Sequence, residues 1–168
     1  MSDLYKEILV KPPKKPADVV KKGLVILATV FCFLVGMMVT PWGMLAGFVL
    51  LILDFYVIFP RFNVEYEYLY VNGDFDVDKI FNKSSRKRAG SYDIGSLQIM
   101  APTGSDELKR YLNGRNMKVK DYSADTPGEK SWMLIYGDGD DQTALILELP
   151  DEVAQDMRRH APRKVFFM

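Results

Sequence analysis

A carboxylate inside an apolar block is the first residue whose chemistry needs an explanation. Asp54 is the only charged residue between Gly23 and Phe59. If this block crosses a membrane, the carboxylate is a candidate functional group, because such a charge is costly without a partner. Thr29 is the one polar residue near the matching depth. Local pairing or snorkelling of Asp54 and a proton or ion relay are therefore the alternative interpretations.

Two short basic segments could bind anions. The run "KSSRKR" carries Lys83, Arg86, Lys87 and Arg88, and the terminal "APRKVFFM" carries Arg163 and Lys164. Basic residues next to a bilayer attract anionic headgroups, or they act only as solvated charges that hold the chain in the cytoplasm. The apolar end of the terminal segment, residues 165–168, either enters the membrane interface or packs on its own domain.

The sequence offers little for catalysis or metal binding. His160 is the only histidine and Cys32 the only cysteine, so an intrachain disulfide and a cysteine-based zinc site are excluded. The pattern Asp138-x-Asp140-x-Gln142 lacks the following glycine and the twelfth-position glutamate of a calcium loop, and predicts a plain hairpin turn. No phosphate-binding or dinucleotide-binding glycine motif is present. We therefore expect no enzyme activity, no cofactor and no metal.

The apolar block itself, residues 23–60, predicts a transmembrane hairpin. As a single helix it would be about 55 Å long, against a hydrocarbon core of about 30 Å, so two spans with a break at Thr40-Pro41 fit better. Lysine and arginine lie on both flanks and the loop between the spans is uncharged. The positive-inside rule then predicts a cell-membrane protein with both termini cytoplasmic. Residues 1–22, rich in lysine and proline, form a basic cytoplasmic segment in this interpretation.

A mainly-β cytoplasmic domain is expected over residues 61–168. The stretch "VEYEYLYVNGDFDVDKIF" alternates around Asn72-Gly73, a pair typical of a type I′ hairpin. Its apolar side chains share one face, and the acidic ones on the other face are either solvated or meet the basic run that follows. Further alternating segments predict about seven strands and a C-terminal helix, as in a PH-like partly open barrel. The domain carries 16 basic and 18 acidic residues, so no nucleic-acid partner is expected.

Several of these segments also resemble a known family. "EYEYLYVNGDFDVDKI", "KSSRKR", "QIMAP", "KVKDY" and "APRKVFF" resemble an uncharacterised, domain-of-unknown-function family of small two-span membrane proteins of Gram-positive anaerobes with a PH-like cytoplasmic domain. The resemblance implies no catalytic residues. Taken with the residues, it predicts a non-enzymatic module that binds the bilayer, anionic headgroups or an unknown protein partner. The alternative is an accessory subunit of a transport or enzyme complex that uses Asp54.

Overall fold

The structure, a computed structural model, describes residues 4–13, 16–40, 42–115, 117–124, 130–139 and 141–167. Its contacts divide the chain into two compact units, one helical and one mainly β. The elements are, in chain order, β1 (Tyr5–Val10), α1 (Pro16–Val39), α2 (Gly43–Leu53), a π turn (Asp54–Ile58), a 3-10 turn (Phe59–Phe62), β2 (Val64–Val71), β3 (Asp74–Phe81), β4 (Ser85–Tyr92), a second 3-10 turn (Ile94–Ser96), β5 (Leu97–Pro102), α3 (Asp106–Leu112), β6 (Lys118–Asp121), β7 (Ser131–Tyr136), β8 (Thr143–Glu148) and α4 (Asp151–His160).

The helical unit contains the predicted hairpin. Both α1 and the helical segment Gly43–Phe62 are long and apolar enough to cross a membrane, and only 6% and 11% of their most apolar windows are buried. The break between α1 and α2 lies where the sequence predicts it, although Pro41 itself is outside the described residues. Long runs of large apolar residues are thus exposed, which is the opposite of a helix pair in a soluble core.

Small residues let the two helices approach each other closely. A Cβ atom added at Gly43 would overlap the backbone carbonyl of Gly36, and one added at Gly47 would overlap the ring of Phe33. Phe33 in turn packs edge-on against Phe48, with ring centroids 5.7 Å apart. The glycine pair therefore serves packing within the hairpin, as close helix contacts in membranes require.

The mainly-β unit has eight described strands rather than the predicted seven. They form two four-stranded sheets, with strand orders β1-β2-β3-β4 and β5-β7-β8-β6. The hydrogen bonds between strands define two separate sheets and do not by themselves show a barrel. The partly open barrel therefore stays a prediction. Most pairings with a recorded register are antiparallel, and β6 with β8 is the parallel exception.

The additional strand, β1, corrects the predicted order of elements. It pairs antiparallel with β2, from Tyr5 opposite Val71 to Val10 opposite Tyr66. The sheet therefore begins before the helical hairpin, and the helices are inserted between two neighbouring strands. Residues 5–10, which the sequence analysis assigned to a basic N-terminal segment, belong to the β unit instead. The apolar and polar residues of this six-residue strand alternate only weakly, and its partner β2 is far away in sequence. The segment therefore gave no strand signal by itself.

The predicted hairpin is confirmed. Asn72 and Gly73 have φ angles of 49° and 104°, the two positive values that a type I′ turn needs. Tyr70 and Phe75 lie on its buried face with ring centroids 4.9 Å apart. The Asn72 side chain also accepts a hydrogen bond from the Leu4 backbone N–H, 3.0 Å away, which fastens β1 to the turn.

Two apolar clusters hold the β unit together. The larger one gathers the inward tyrosines, Trp132, alternate residues of both sheets and the buried side of α4 (Val153, Ala154 and Met157). The smaller one lies under α3 and includes Ile99, Leu108 and Ile135. Ser105 caps α3, because its hydroxyl accepts a hydrogen bond from the Leu108 backbone N–H.

Candidate functional site

Within the helical unit, Asp54 and Thr29 are brought together. The Thr29 hydroxyl donates a hydrogen bond to Oδ2 of Asp54, and both residues are 7% exposed. Asp54 also begins the π turn, a local widening of the helix that is frequent at functional positions. The structure thus supports local pairing of this carboxylate. The pairing does not test a proton or ion relay.

Acidic side chains line one face of the first sheet, and basic residues neutralise part of it. Arg86 lies 2.5 Å from Glu67 and 3.7 Å from Asp78, and Arg88 lies 3.1 Å from Asp76 and 3.7 Å from Asp78. Asp78 is only 4% exposed. Of the two interpretations of this acidic face, the structure supports contact with basic neighbours, which come from the "KSSRKR" run.

These ion pairs divide the four basic residues of the run into two groups. Arg86 and Arg88 are used inside the domain, as counter-ions for buried or half-buried carboxylates. Lys83 lies in the turn after β3 with a positive φ of 57°, and both Lys83 and Lys87 are exposed. No ion pair is recorded for either lysine among the described residues. Of the four predicted anion-binding residues of the run, these two retain an uncompensated charge.

The C-terminal segment packs on the β unit. Backbone hydrogen bonds of 2.8 Å join Met100 to Lys164 and Phe166 to Met100, so the segment extends the edge of β5. Val165 is 3% exposed, and Phe167 lies edge-on to Trp132. Of the two interpretations of this apolar tail, the structure supports packing for residues 165–167; Met168 is outside the described residues.

The two basic residues of this tail differ in their contacts. Arg163 is exposed, with no ion pair recorded in the described part of the chain. Lys164 is half-buried and its Nζ lies 3.4 Å from the backbone carbonyl of Gly95. Arg163 is therefore the freer of the two to meet an anion. It is distant in sequence from Lys83 and Lys87, and no contact is recorded between them.

Buried tyrosines form polar links that the sequence analysis missed. The Tyr70 hydroxyl donates to Asp156 on α4 over 2.6 Å, and the Tyr68 hydroxyl donates to the Tyr122 carbonyl over 2.6 Å. Burial raises the pKa of Tyr70, and the carboxylate of Asp156 raises it further. Burial also raises the pKa of Tyr122 to about 12. The alternation of β2 indicates that its tyrosines point inward, but nothing local identifies their partners.

Asp156 also lies beside the only histidine, an arrangement that invites comparison with a catalytic pair. Nδ1 of His160 is 3.5 Å from Oδ2 of Asp156, one helical turn earlier. Asp156 also accepts a hydrogen bond from the Tyr70 hydroxyl, so it connects α4 to the first sheet. Among the described residues, no group of three His, Cys, Asp or Glu side chains could hold a metal ion.

Comparison with known families adds one decisive match. The model of the family described as a bacterial PH-like domain (DUF6106) matches residues 2–167. The chain belongs to this family. The match extends over β1, the helical hairpin and the β unit together. The function of the DUF6106 family is unknown, and its membrane location and Gram-positive anaerobic origin stay predictions.

No curated protein and no solved structure matches this DUF6106 chain significantly.

Proposed function

We propose that this DUF6106 protein is a two-span integral membrane protein whose PH-like unit acts as a non-enzymatic binding module on the cytoplasmic face. The observation that carries the proposal is the insertion of two exposed apolar helices between the paired strands β1 and β2. Such a large apolar surface is stable in lipid and costly in water.

The connectivity also supports the topology. Val10, before the helices, lies opposite Tyr66, after them, in one antiparallel ladder. A chain that leaves this sheet and returns to it must cross a bilayer an even number of times. Two crossings fit the two helices, and the basic flanks favour the cytoplasmic side for the sheet.

The binding residues that we favour are exposed basic residues for which no ion pair is recorded in the described part of the chain. Lys83, Lys87 and Arg163 are exposed, whereas Arg86 and Arg88 are paired with carboxylates. A basic residue near an anionic surface contributes about 1 kcal/mol, and this attraction fades with salt. Each of these charges could pair with an anionic headgroup or with an acidic group of a partner protein.

Cysteine labelling in intact cells tests the topology. In a Cys32→Ser background, Thr40→Cys, between the helices, should react with an impermeant thiol reagent before lysis. Ser91→Cys, on an exposed position of β4, should react only after lysis. Labelling of Ser91→Cys in intact cells, or release of the chain from membranes at alkaline pH, would refute the proposed location.

Lipid analysis separates the two kinds of partner. The full chain purified from native membranes should retain anionic lipid, and the Lys83→Ser, Lys87→Ser, Arg163→Ser triple variant should lose most of it. The Lys130→Ser variant, which removes an exposed basic residue elsewhere, serves as the control. Equal lipid retention by all three proteins would shift the binding role to a protein partner, which cross-linking in native membranes would then identify.

A second candidate function follows from the pair of Asp54 and Thr29. A buried carboxylate beside a hydroxyl at a π turn could serve a transport or enzyme complex of which this chain is an accessory subunit. Asp54→Asn keeps the shape and a hydrogen-bonding side chain but removes the charge. Full activity of a complex isolated with this variant would eliminate the candidate.

A further inference from the structure

A cleft beside α3 is lined by charged and apolar side chains that the proposed function does not use. Its volume is about 590 Å³, and it is widely open to solvent. Ile99 and Phe166 provide an apolar part, and Arg110 and Arg115 line it with Tyr111. Ile99 belongs to the small apolar cluster under α3, so this part of the wall is fixed by packing.

Arg115 is held in place by a small closed set of contacts. Its guanidinium lies 4.1 Å from the ring centroid of Tyr111. Its Nη1 donates to Oε1 of Gln142 over 3.3 Å, and Nε2 of Gln142 donates to the Tyr111 hydroxyl over 3.0 Å. Gln142 is only 8% exposed. The guanidinium is thus oriented before any ligand arrives, which lowers the entropy cost of binding.

The charge of Arg115 has no ion-pair partner among the residues that the structure describes. Across the described residues, no carboxylate is recorded within ion-pair distance of it. The other arginine of the cleft, Arg110, lies 3.6 Å from Glu107, so that pair is neutral overall. One positive charge remains, on a planar group whose two parallel N–H bonds match a carboxylate.

We propose that this cleft binds a peptide segment of a partner protein that presents a carboxylate next to an apolar side chain. The carboxylate pairs with Arg115, and the apolar side chain lies against Ile99 and Phe166. The inference rests on the proposed binding role and names the chemistry of its partner.

A peptide fits the remaining lining better than a free hydrocarbon acid does. Asn113 offers an amide donor and acceptor, and Glu107 offers acceptor oxygens. Backbone N–H and C=O groups of a bound peptide can use both, whereas an alkyl chain can use neither. A free apolar acid is therefore one outcome that the test must distinguish.

The test uses the full chain in nanodiscs of neutral phosphatidylcholine. The probe is the tripeptide acetyl-Ala-Ala-Phe with a free carboxylate, compared with the same tripeptide as its C-terminal amide. Binding is measured by ligand-observed saturation-transfer NMR. We expect the carboxylate form to bind about tenfold more tightly than the amide, because a charge-assisted hydrogen-bonded pair is lost with the amide.

Three variants assign the preference to the cleft. Arg115→Gln should abolish the carboxylate preference, and Arg115→Lys should lose most of it because the planar fork is gone. Lys130→Gln, at an exposed position outside the cleft, should bind as the native chain does. Unchanged melting temperatures establish that the variants are folded.

Several results would overturn the inference. These are equal affinity for acid and amide, no binding of either, or native affinity in Arg115→Gln. Hexanoate binding as tightly as the tripeptide would assign the cleft to free apolar acids and would also overturn it. Because the nanodiscs contain neutral lipid only, these outcomes are independent of the lipid and topology tests of the proposed function.

Discussion

Two adjacent residues of the basic run, Arg86 and Lys87, have different roles although both are exposed. Arg86 pairs with Glu67 and with Asp78, which is almost fully buried, whereas Lys87 has no ion pair recorded. We expect Arg86→Ser to lower the free energy of unfolding by about 1–2 kcal/mol, because buried carboxylates lose a partner that is itself half-exposed. Lys87→Ser is the control and should leave stability unchanged. Thermal unfolding of the full chain in detergent measures both, and equal melting temperatures would contradict the ion-pair assignment.

Tyrosine ionisation gives a second prediction for a single residue. Burial raises the pKa of Tyr122 from 10.0 to about 12. Below pH 10 the phenol is neutral in both folded and unfolded chains, so its contribution to stability is complete. Between pH 10 and about 12 only the unfolded chain ionises, and this contribution is lost.

We expect the full chain to become less stable above pH 10, and the decline to be shallower in Tyr122→Phe. Thermal unfolding at a series of alkaline pH values measures the decline, and tyrosinate absorbance reports the ionisation. Identical pH profiles for the two proteins would mean that Tyr122 is not shifted.

At the scale of elements, the contact between α1 and α2 depends on a glycine. Gly47→Leu would place a side chain in the space of the Phe33 ring, whereas Gly23→Leu meets nothing within 4 Å. We therefore expect Gly47→Leu to separate the helices and lower the melting temperature followed by helical circular dichroism. Gly23→Leu should unfold as the native chain does. Similar unfolding of the two variants would show that the glycine pair serves another contact, such as a dimer.

The elements also show what the sequence could predict and why the rest was missed. The Asn72-Gly73 hairpin, the helix capped by Ser105 and the two apolar helices have local signals, namely turn chemistry, capping and hydropathy. The strand Tyr5–Val10 has none, because its partner follows the whole helical insertion. The same limit applies to the functional residues. The pairing of Thr29 with Asp54 could be predicted, because the two residues lie at matching depths on the two helices. The contact of Arg115 with Gln142 could not, because it forms only when distant segments fold together.

For the whole molecule, the insertion of the helices predicts that the β unit can be freed from them. Lys11 and Glu65 form an ion pair 3.1 Å apart at the end of the β1–β2 ladder. We expect a chain in which residues 12–63 are replaced by a short Gly/Asn loop to fold as a water-soluble, mainly-β monomer. Size-exclusion chromatography and circular dichroism measure this outcome.

The matched control is a chain that begins at Arg61 and so lacks β1. It should aggregate or unfold, because β2 loses the neighbour that covers its edge and the core loses Val10. If the two chains were equally soluble and equally stable, β1 would be dispensable. The prediction that the β unit needs this strand to fold would then be wrong.

The position of the helices between β1 and β2 also sets a schedule for biosynthesis. The first strand leaves the ribosome long before its neighbour, and the residues made in between form the two apolar helices. At the usual pace of translation the nascent strand waits on the order of 3–10 s with its backbone donors and acceptors unmatched. In the proposed membrane location, insertion of the helices and closure of the sheet are therefore coupled in time. A delay at the translocon would prolong the exposure of this strand, and competition between chaperones and aggregation would then decide the yield of this protein.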